Sequence, residues 1–125
     1  MIKIINSDKI SSIPNAPFSQ SIVAGDFIFL SGQTGTDENG KIVDGGIQAQ
    51  AEQAIKNIGI ILKANGVGYE NVVKATCFLS DINNFGAFNK AYSKYFTGKP
   101  ARSCFAVKNL PLNAAVEVEV IAYLK

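Results

Sequence analysis

Along most of this chain, hydrophobic and polar positions alternate with a period that names the local structure. Ile2 to Ile5 is a short apolar stretch and predicts a strand. From Ile10 to Pro17 the pattern breaks up around Pro14 and Pro17, which predicts an irregular loop. Ser19 to Val23 and Phe27 to Ser31 read as two strands joined through Ala24-Gly25-Asp26, a hairpin. The Asn39-Gly40 pair marks another turn.

From Gly46 to Asn65 the period lengthens. Ile47, Ala51, Ala54, Ile55, Ile58, Ile61 and Leu62 recur at helical spacing, and Gln48, Glu52, Lys56 and Lys63 fall elsewhere on the wheel. Asn65-Gly66 is a natural stop. Asn71 to Leu79 predicts a strand, and Asp81 or Asn83 caps a second helix running to about Phe96. Phe85, Phe88, Tyr92, Tyr95 and Phe96 form its buried stripe.

Two strands close the chain. Ala101 to Val107 sets Arg102, Cys104 and Ala106 against Ser103, Phe105 and Val107, and Ala115 to Tyr123 sets Val116, Val118 and Val120 against Glu117, Glu119 and Ile121. The order predicts an α+β fold, a mostly antiparallel sheet with two helices packed on one face. The valine face meets the helices, so Glu117 and Glu119 take the other side. If the Arg102 strand pairs with the last one, Arg102 and Cys104 share that uncovered side with the two acids. An anion site beside a base would result.

The 125 residues carry 47% hydrophobic and 18% charged residues, which fits one folded domain spanning 1–125 and excludes a disordered chain. Net charge is +2, with no basic run, so the footprint of a nucleic-acid binder is missing. The longest apolar runs are too short to span a bilayer, and Met1 to Asn6 lacks the pattern of a secretory signal. No membrane association and a cytoplasmic location are the expectations, with Cys77 and Cys104 as reduced thiols.

Absences narrow the chemistry further. Without a histidine there is no Ser-His or Cys-His nucleophile pair and no His-containing zinc site, and two cysteines cannot build a thiolate-rich one. Chemistry must come from carboxylates, lysines, the single Arg102, hydroxyls, backbone groups and water.

Several segments together resemble the reactive intermediate deaminase family, the RidA or YjgF-type proteins, sometimes described as L-PSP endoribonucleases. They are Asn15-Ala16-Pro17-Phe18-Ser19-Gln20, Leu30-Ser31-Gly32-Gln33, Gln50-Ala51-Glu52-Gln53-Ala54 with Asn57, and Val73-Lys74-Ala75-Thr76-Cys77-Phe78-Leu79. Phe88-Asn89-Lys90-Ala91-Tyr92, Pro100-Ala101-Arg102-Ser103-Cys104, and Leu110-Pro111 followed by Val116-Glu117-Val118-Glu119 complete the set. Each segment alone is weak; in this order, across nearly the whole chain, they are specific.

The resemblance implies a chorismate-mutase-like homotrimer with active sites between subunits. It also implies hydrolysis of 2-imino acids, such as 2-iminobutanoate and 2-iminopropanoate, to 2-keto acids and ammonia, with no cofactor and no metal. Carried over by position, Arg102 matches the arginine that binds the substrate carboxylate, a role that suits a guanidinium fork. Glu117 matches the glutamate that positions or activates water. Cys104 matches a pocket cysteine and is grouped with these two as catalytic, although imine hydrolysis needs only water as nucleophile. Ser31, Asn89 and Pro111 match pocket-lining positions. At Phe18 the sequence departs: most deaminase-active members carry tyrosine there, so a hydroxyl is missing from the substrate-binding set.

Taken without the family, Arg102 is an ordinary surface ion-pair partner, Glu117 and Glu119 solvated strand residues, and Cys104 a small buried hydrophobe. The family pattern reverses those odds for Arg102 and Glu117. A non-catalytic 2-keto- or 2-imino-acid binding protein is the alternative that Phe18 keeps open. An RNA-directed ribonuclease or translation inhibitor ranks last, for want of histidine and of a basic patch.

Overall fold

The computed structural model describes residues 1–125. In chain order the elements are β1 (Ile2–Ile5), β2 (Ser21–Ala24), β3 (Phe27–Leu30), β4 (Gln33–Thr34), α1 (Gly46–Ala64), β5 (Val72–Leu79), α2 (Phe85–Tyr92), β6 (Ala101–Ala106) and β7 (Val116–Tyr123). The strands form one sheet in the order β1-β2-β3-β7-β5-β6, with β4 also paired to β7. All pairings are antiparallel except β5 with β6, whose parallel register requires a crossover, and α2 provides it.

Period-2 alternation decides which face is buried. Val116, Val118, Val120 and Ala122 of the central strand β7 are buried with Ile28, Leu30, Ala75, Cys77 and Leu79 beneath α1 and α2. From α1 come Ala51, Ala54, Ile55, Ile58, Ile61 and Leu62, all with no exposed surface, as the helical spacing predicts. The helix ends where Asn65-Gly66 predicts. Gly66 takes φ +79°, the Gly66 N–H donates to Lys63 O and the Val67 N–H to Leu62 O, closing a Schellman turn.

The second helix is shorter than the sequence suggests. Asp81 caps a 3-10 turn, accepting from the Asn83 N–H at 2.9 Å, before α2 proper begins at Phe85. The chain leaves the α-helical path after Tyr92, and Tyr95 and Phe96 pack from the following turns, Phe96 in edge contact with Tyr69.

The opposite face of the sheet is apolar as well. Ile4, Phe27, Phe29, Phe105 and Tyr123 are all partly exposed there, with Ile22, Phe78 and Ile121 among them. No helix of the chain is long and apolar enough to cross a membrane.

Candidate functional site

The sheet register overturns one expectation at once. Arg102 and Cys104 do not share a face with Glu117 and Glu119. β6 pairs with β5, not with β7, and Arg102 stands level with Ala75, which stands level with the buried Val120. Cys104 is level with Cys77 and Val118. Both therefore belong to the helix side. Glu117 and Glu119 are level with Phe78 and Thr76, on the other side, because strand neighbours one residue apart point to opposite faces.

The predicted site residues accordingly fall into two groups. The first lies in a broad trough on the uncovered face, lined by Phe18, Ser31, Gly32, Pro111, Leu112 and Glu117 among others. Its volume of about 1510 Å³ exceeds the usual small-ligand pocket, so a small acid alone would fill only part of it. Phe18 is 59% exposed on the approach to this trough. Ser31 donates its hydroxyl to Ser19 O at 2.6 Å, which leaves its oxygen free only to accept.

Glu117 is the trough's chemical feature. Burial, and then the neighbouring charge of Glu119, raise its carboxyl above the usual glutamate value. Gly32 makes room for it: a methyl at Gly32 would overlap the Glu117 carboxylate. Across the trough, Pro111 opens a 3-10 turn in which Leu112 (φ 59°) and Asn113 (φ 55°) both take left-handed backbone, leaving Leu112 62% exposed. A non-glycine residue there is costly and clusters at functional sites. Leu112 was not predicted, since nothing in its neighbours signals a positive φ for leucine.

The second group sits under α2. Arg102 extends from the edge strand β6 across the rings of Phe85, Phe88 and Tyr92, with Cζ 5.6, 5.8 and 4.7 Å from their centroids. The two ion pairs of the chain, Lys94–Glu52 and Lys125–Asp26, do not involve it. Burial raises the Cys104 thiol, and the nearby Arg102 charge only partly offsets this, so the sulfur is held protonated and is a poor nucleophile. Cys77 is pushed further, to about 12, also mainly by burial. Asn89 lies on α2 between Phe88 and Tyr92, its Oδ1 buried without a hydrogen-bond partner.

Polar residues from the matched segments mostly hold the scaffold. Asn57, 3% exposed, donates to Thr36 O at 3.0 Å and accepts from Gln53 Nε2 at 3.0 Å, tying α1 to the segment just after β4. Gln50 accepts from the Ala115 N–H at 2.8 Å and fixes the start of β7, two residues before Glu117.

Comparison with known proteins finds relatives in both sequence and fold. The sequence profile of a family described as Endoribonuclease L-PSP matches residues 9–124. A mouse 2-iminobutanoate/2-iminopropanoate deaminase is 43% identical over 122 residues, covering 96% of this chain and 90% of its own. Reactive Intermediate Deaminase A of Arabidopsis thaliana, a chloroplastic protein, is 48% identical over 110 residues, 86% of this chain and 59% of its own. Among solved structures, yeast YEO7 superposes with a TM-score of 0.95 at 40% identity, covering all of both chains.

Proposed function

The chain belongs to the Endoribonuclease L-PSP (YjgF/RidA) family, and from that premise we propose that it hydrolyses reactive 2-imino and enamine acids, such as 2-iminobutanoate and 2-iminopropanoate, to 2-keto acids and ammonia. The observation that carries the proposal is Glu117, a half-buried carboxylate of raised pKa at the floor of the trough. A carboxylate so tuned is closer to the operating pH and shuttles protons more effectively than an exposed one.

Glu117 takes a proton from water as the oxygen bonds to C2 of the imine, and the C=N π electrons move to nitrogen. Glu117 returns that proton to the nitrogen, which gives the neutral carbinolamine. Glu117 then takes the hydroxyl proton and hands it to the amine nitrogen, so the C–N bond breaks, C=O forms and ammonia departs. Arg102 holds the substrate carboxylate with two N–H donors. Cys104 lines the anchor side and takes no part in bond making, in keeping with its protonated thiol. Asn89, on the same side, and Phe18, Ser31 and Pro111, in the trough, line the substrate.

In one chain the anchor and the base face away from each other, so the proposed site lies between copies: the Arg102 side of one subunit closes the Glu117 trough of the next. The apolar outer face, with Phe29 44% and Phe105 45% exposed, supports an assembly that covers it, here a homotrimer of chorismate-mutase-like architecture. The same reading carries a cytoplasmic site of action, which cell fractionation tests.

The deciding assay generates 2-iminobutanoate with a threonine dehydratase and follows ammonia and 2-ketobutyrate. Faster release in the presence of this protein is the expected result. Arg102→Ala is expected to weaken 2-ketobutyrate binding by roughly 2–5 kcal/mol, and Arg102→Lys also weakens it by losing the fork. Glu117→Gln is expected to spare binding and cut turnover. Unchanged 2-ketobutyrate affinity in Arg102→Ala would refute the anchor.

A second reading, binding of 2-keto or 2-imino acids without turnover, rests on Phe18, which lacks the hydroxyl of the usual tyrosine. It predicts 2-ketobutyrate binding with no acceleration in the same assay. Cleavage of RNA, which the family's descriptive name suggests, fits the trough poorly. Asp8, Glu38, Glu117 and Glu119 line it and would repel a phosphodiester backbone.

A further inference from the structure

Phe85, Phe88 and Tyr92 recur at i, i+3 and i+7 on α2, so one helix face carries all three rings. Such a stripe ordinarily fills a core. Phe88 is fully buried and Tyr92 8% exposed, but Phe85 is 38% exposed, too open for a residue whose task is core packing. What the three share is Arg102, whose guanidinium carbon lies 4.7–5.8 Å from every ring centroid. Contacts of this kind occur about once in 70–80 residues, so three converging on the chain's single arginine call for an explanation.

A guanidinium is flat and weakly hydrated on its faces, while its five N–H donors radiate in its plane. Aromatic rings satisfy the faces and leave the donor edge for a planar anion. They also restrict the side chain's rotamers before the anion arrives, so less freedom is lost on binding. The Tyr92 hydroxyl is buried without a hydrogen-bond partner, so the ring, not the oxygen, makes the useful contact.

We infer that Phe85, Phe88 and Tyr92 form a positioning cage for Arg102, with Tyr92 its principal wall, holding the guanidinium edge-on to an incoming carboxylate. The inference rests on Arg102 as the carboxylate anchor of the proposed reaction. It adds that α2, not β6 alone, sets the orientation of that anchor.

Because Arg102 is the only arginine, its Nε–Hε group gives one assignable NMR signal in the uniformly labelled protein, and ring currents displace that signal upfield without any ligand. Tyr92→Phe is expected to keep the displacement and to hold 2-ketobutyrate affinity and kcat within about twofold. Tyr92→Leu is expected to lose most of the displacement and to raise the 2-ketobutyrate Kd about five- to tenfold, with kcat falling much less. Phe85→Leu, at a partly exposed position, is expected to show the same changes in smaller measure and serves if Tyr92→Leu does not fold. An unmoved Arg102 signal in the leucine variants, or a phenylalanine variant as weak as leucine, overturns the cage. Absence of imine turnover beside a ring-shifted Arg102 signal would refute the deaminase reading while leaving the cage standing.

Discussion

Arg102 and Glu117 stand on opposite faces of one sheet, separated by the parity of β5, where Ala75 is level with the first and Phe78 with the second. A four-carbon substrate of the proposed reaction would therefore have to meet them across two chains. Mixing subunits tests this arrangement. Arg102→Ala and Glu117→Gln proteins are each expected to be inactive alone, yet co-assembly at equal ratio should restore about a quarter of wild-type turnover, since one site in four then joins an intact Arg102 to an intact Glu117 across an interface. No recovery in mixed assemblies, verified by mass, would put both residues in the same chain's site.

The raised Glu117 carboxyl sets a pH dependence. As the proposed general base it would have to be ionised, so the acid limb of kcat/KM is expected above the ordinary glutamate range. Glu119→Gln removes the neighbouring like charge and should move that limb down, though not to the ordinary value, because burial is the larger cause. Stability runs the other way from the usual acid. The folded chain holds this proton more tightly than the unfolded one, so Glu117 costs stability progressively as pH rises from about 4.5 through its folded value. Glu117→Gln is therefore expected to melt higher than wild type at neutral pH and to match it in acid. A pH-independent difference in Tm would show that its ionisation is not strained.

Gly32 sits where any side chain would strike the Glu117 carboxylate. In Gly32→Ala the flexible end of Glu117 is the part that yields, so the fold should survive while the carboxylate is displaced. Turnover is expected to drop roughly ten- to a hundredfold, with 2-ketobutyrate affinity nearly unchanged. Loss of affinity in proportion to rate would show that the two groups are not separable in the way described.

Phe18 lies 59% exposed at the trough, so adding a hydroxyl there disturbs little packing. Phe18→Tyr is expected to raise or broaden imine turnover, by up to about tenfold, with stability changed by less than about 0.5 kcal/mol. Steady-state rates on several imines check it; identical kinetics would make the missing hydroxyl irrelevant.

Much of this architecture was legible in the chain. Alternation in Val116 to Tyr123 reveals a half-covered strand, and the Ile55, Ile58, Leu62 spacing with Asn65-Gly66 bounds the long helix within a residue or so. The side of the sheet on which Arg102 lies was not legible, because alternation gives relative faces within a strand and not which neighbour a strand will choose. Once β5 intervenes, register through Ala75 decides it. The rings of α2 are buried as their spacing predicts, Phe85 excepted, but an aromatic stripe looks the same whether it meets aliphatic side chains or a guanidinium plane. Glu117, by contrast, was correctly assigned to the uncovered face, since the valines beside it could only face the helices.

The parallel crossover from β5 through α2 to β6 gives the two halves of the site different folding ranges. The anchor half draws on residues 72 to 104, strand β5, helix α2 and the strand β6 that pairs with β5. The trough half needs Phe18 near one end of the chain to meet Glu117 near the other, with β7 slotted between β3 and β5. Contacts between near neighbours in sequence close quickly, and those spanning most of the chain close late. The Arg102 half is therefore expected to form before the Glu117 half. In native-state hydrogen exchange the strand that carries Glu117, insertion of which completes the sheet, should report the global opening, whereas the edge strand β6 exchanges by smaller, local excursions.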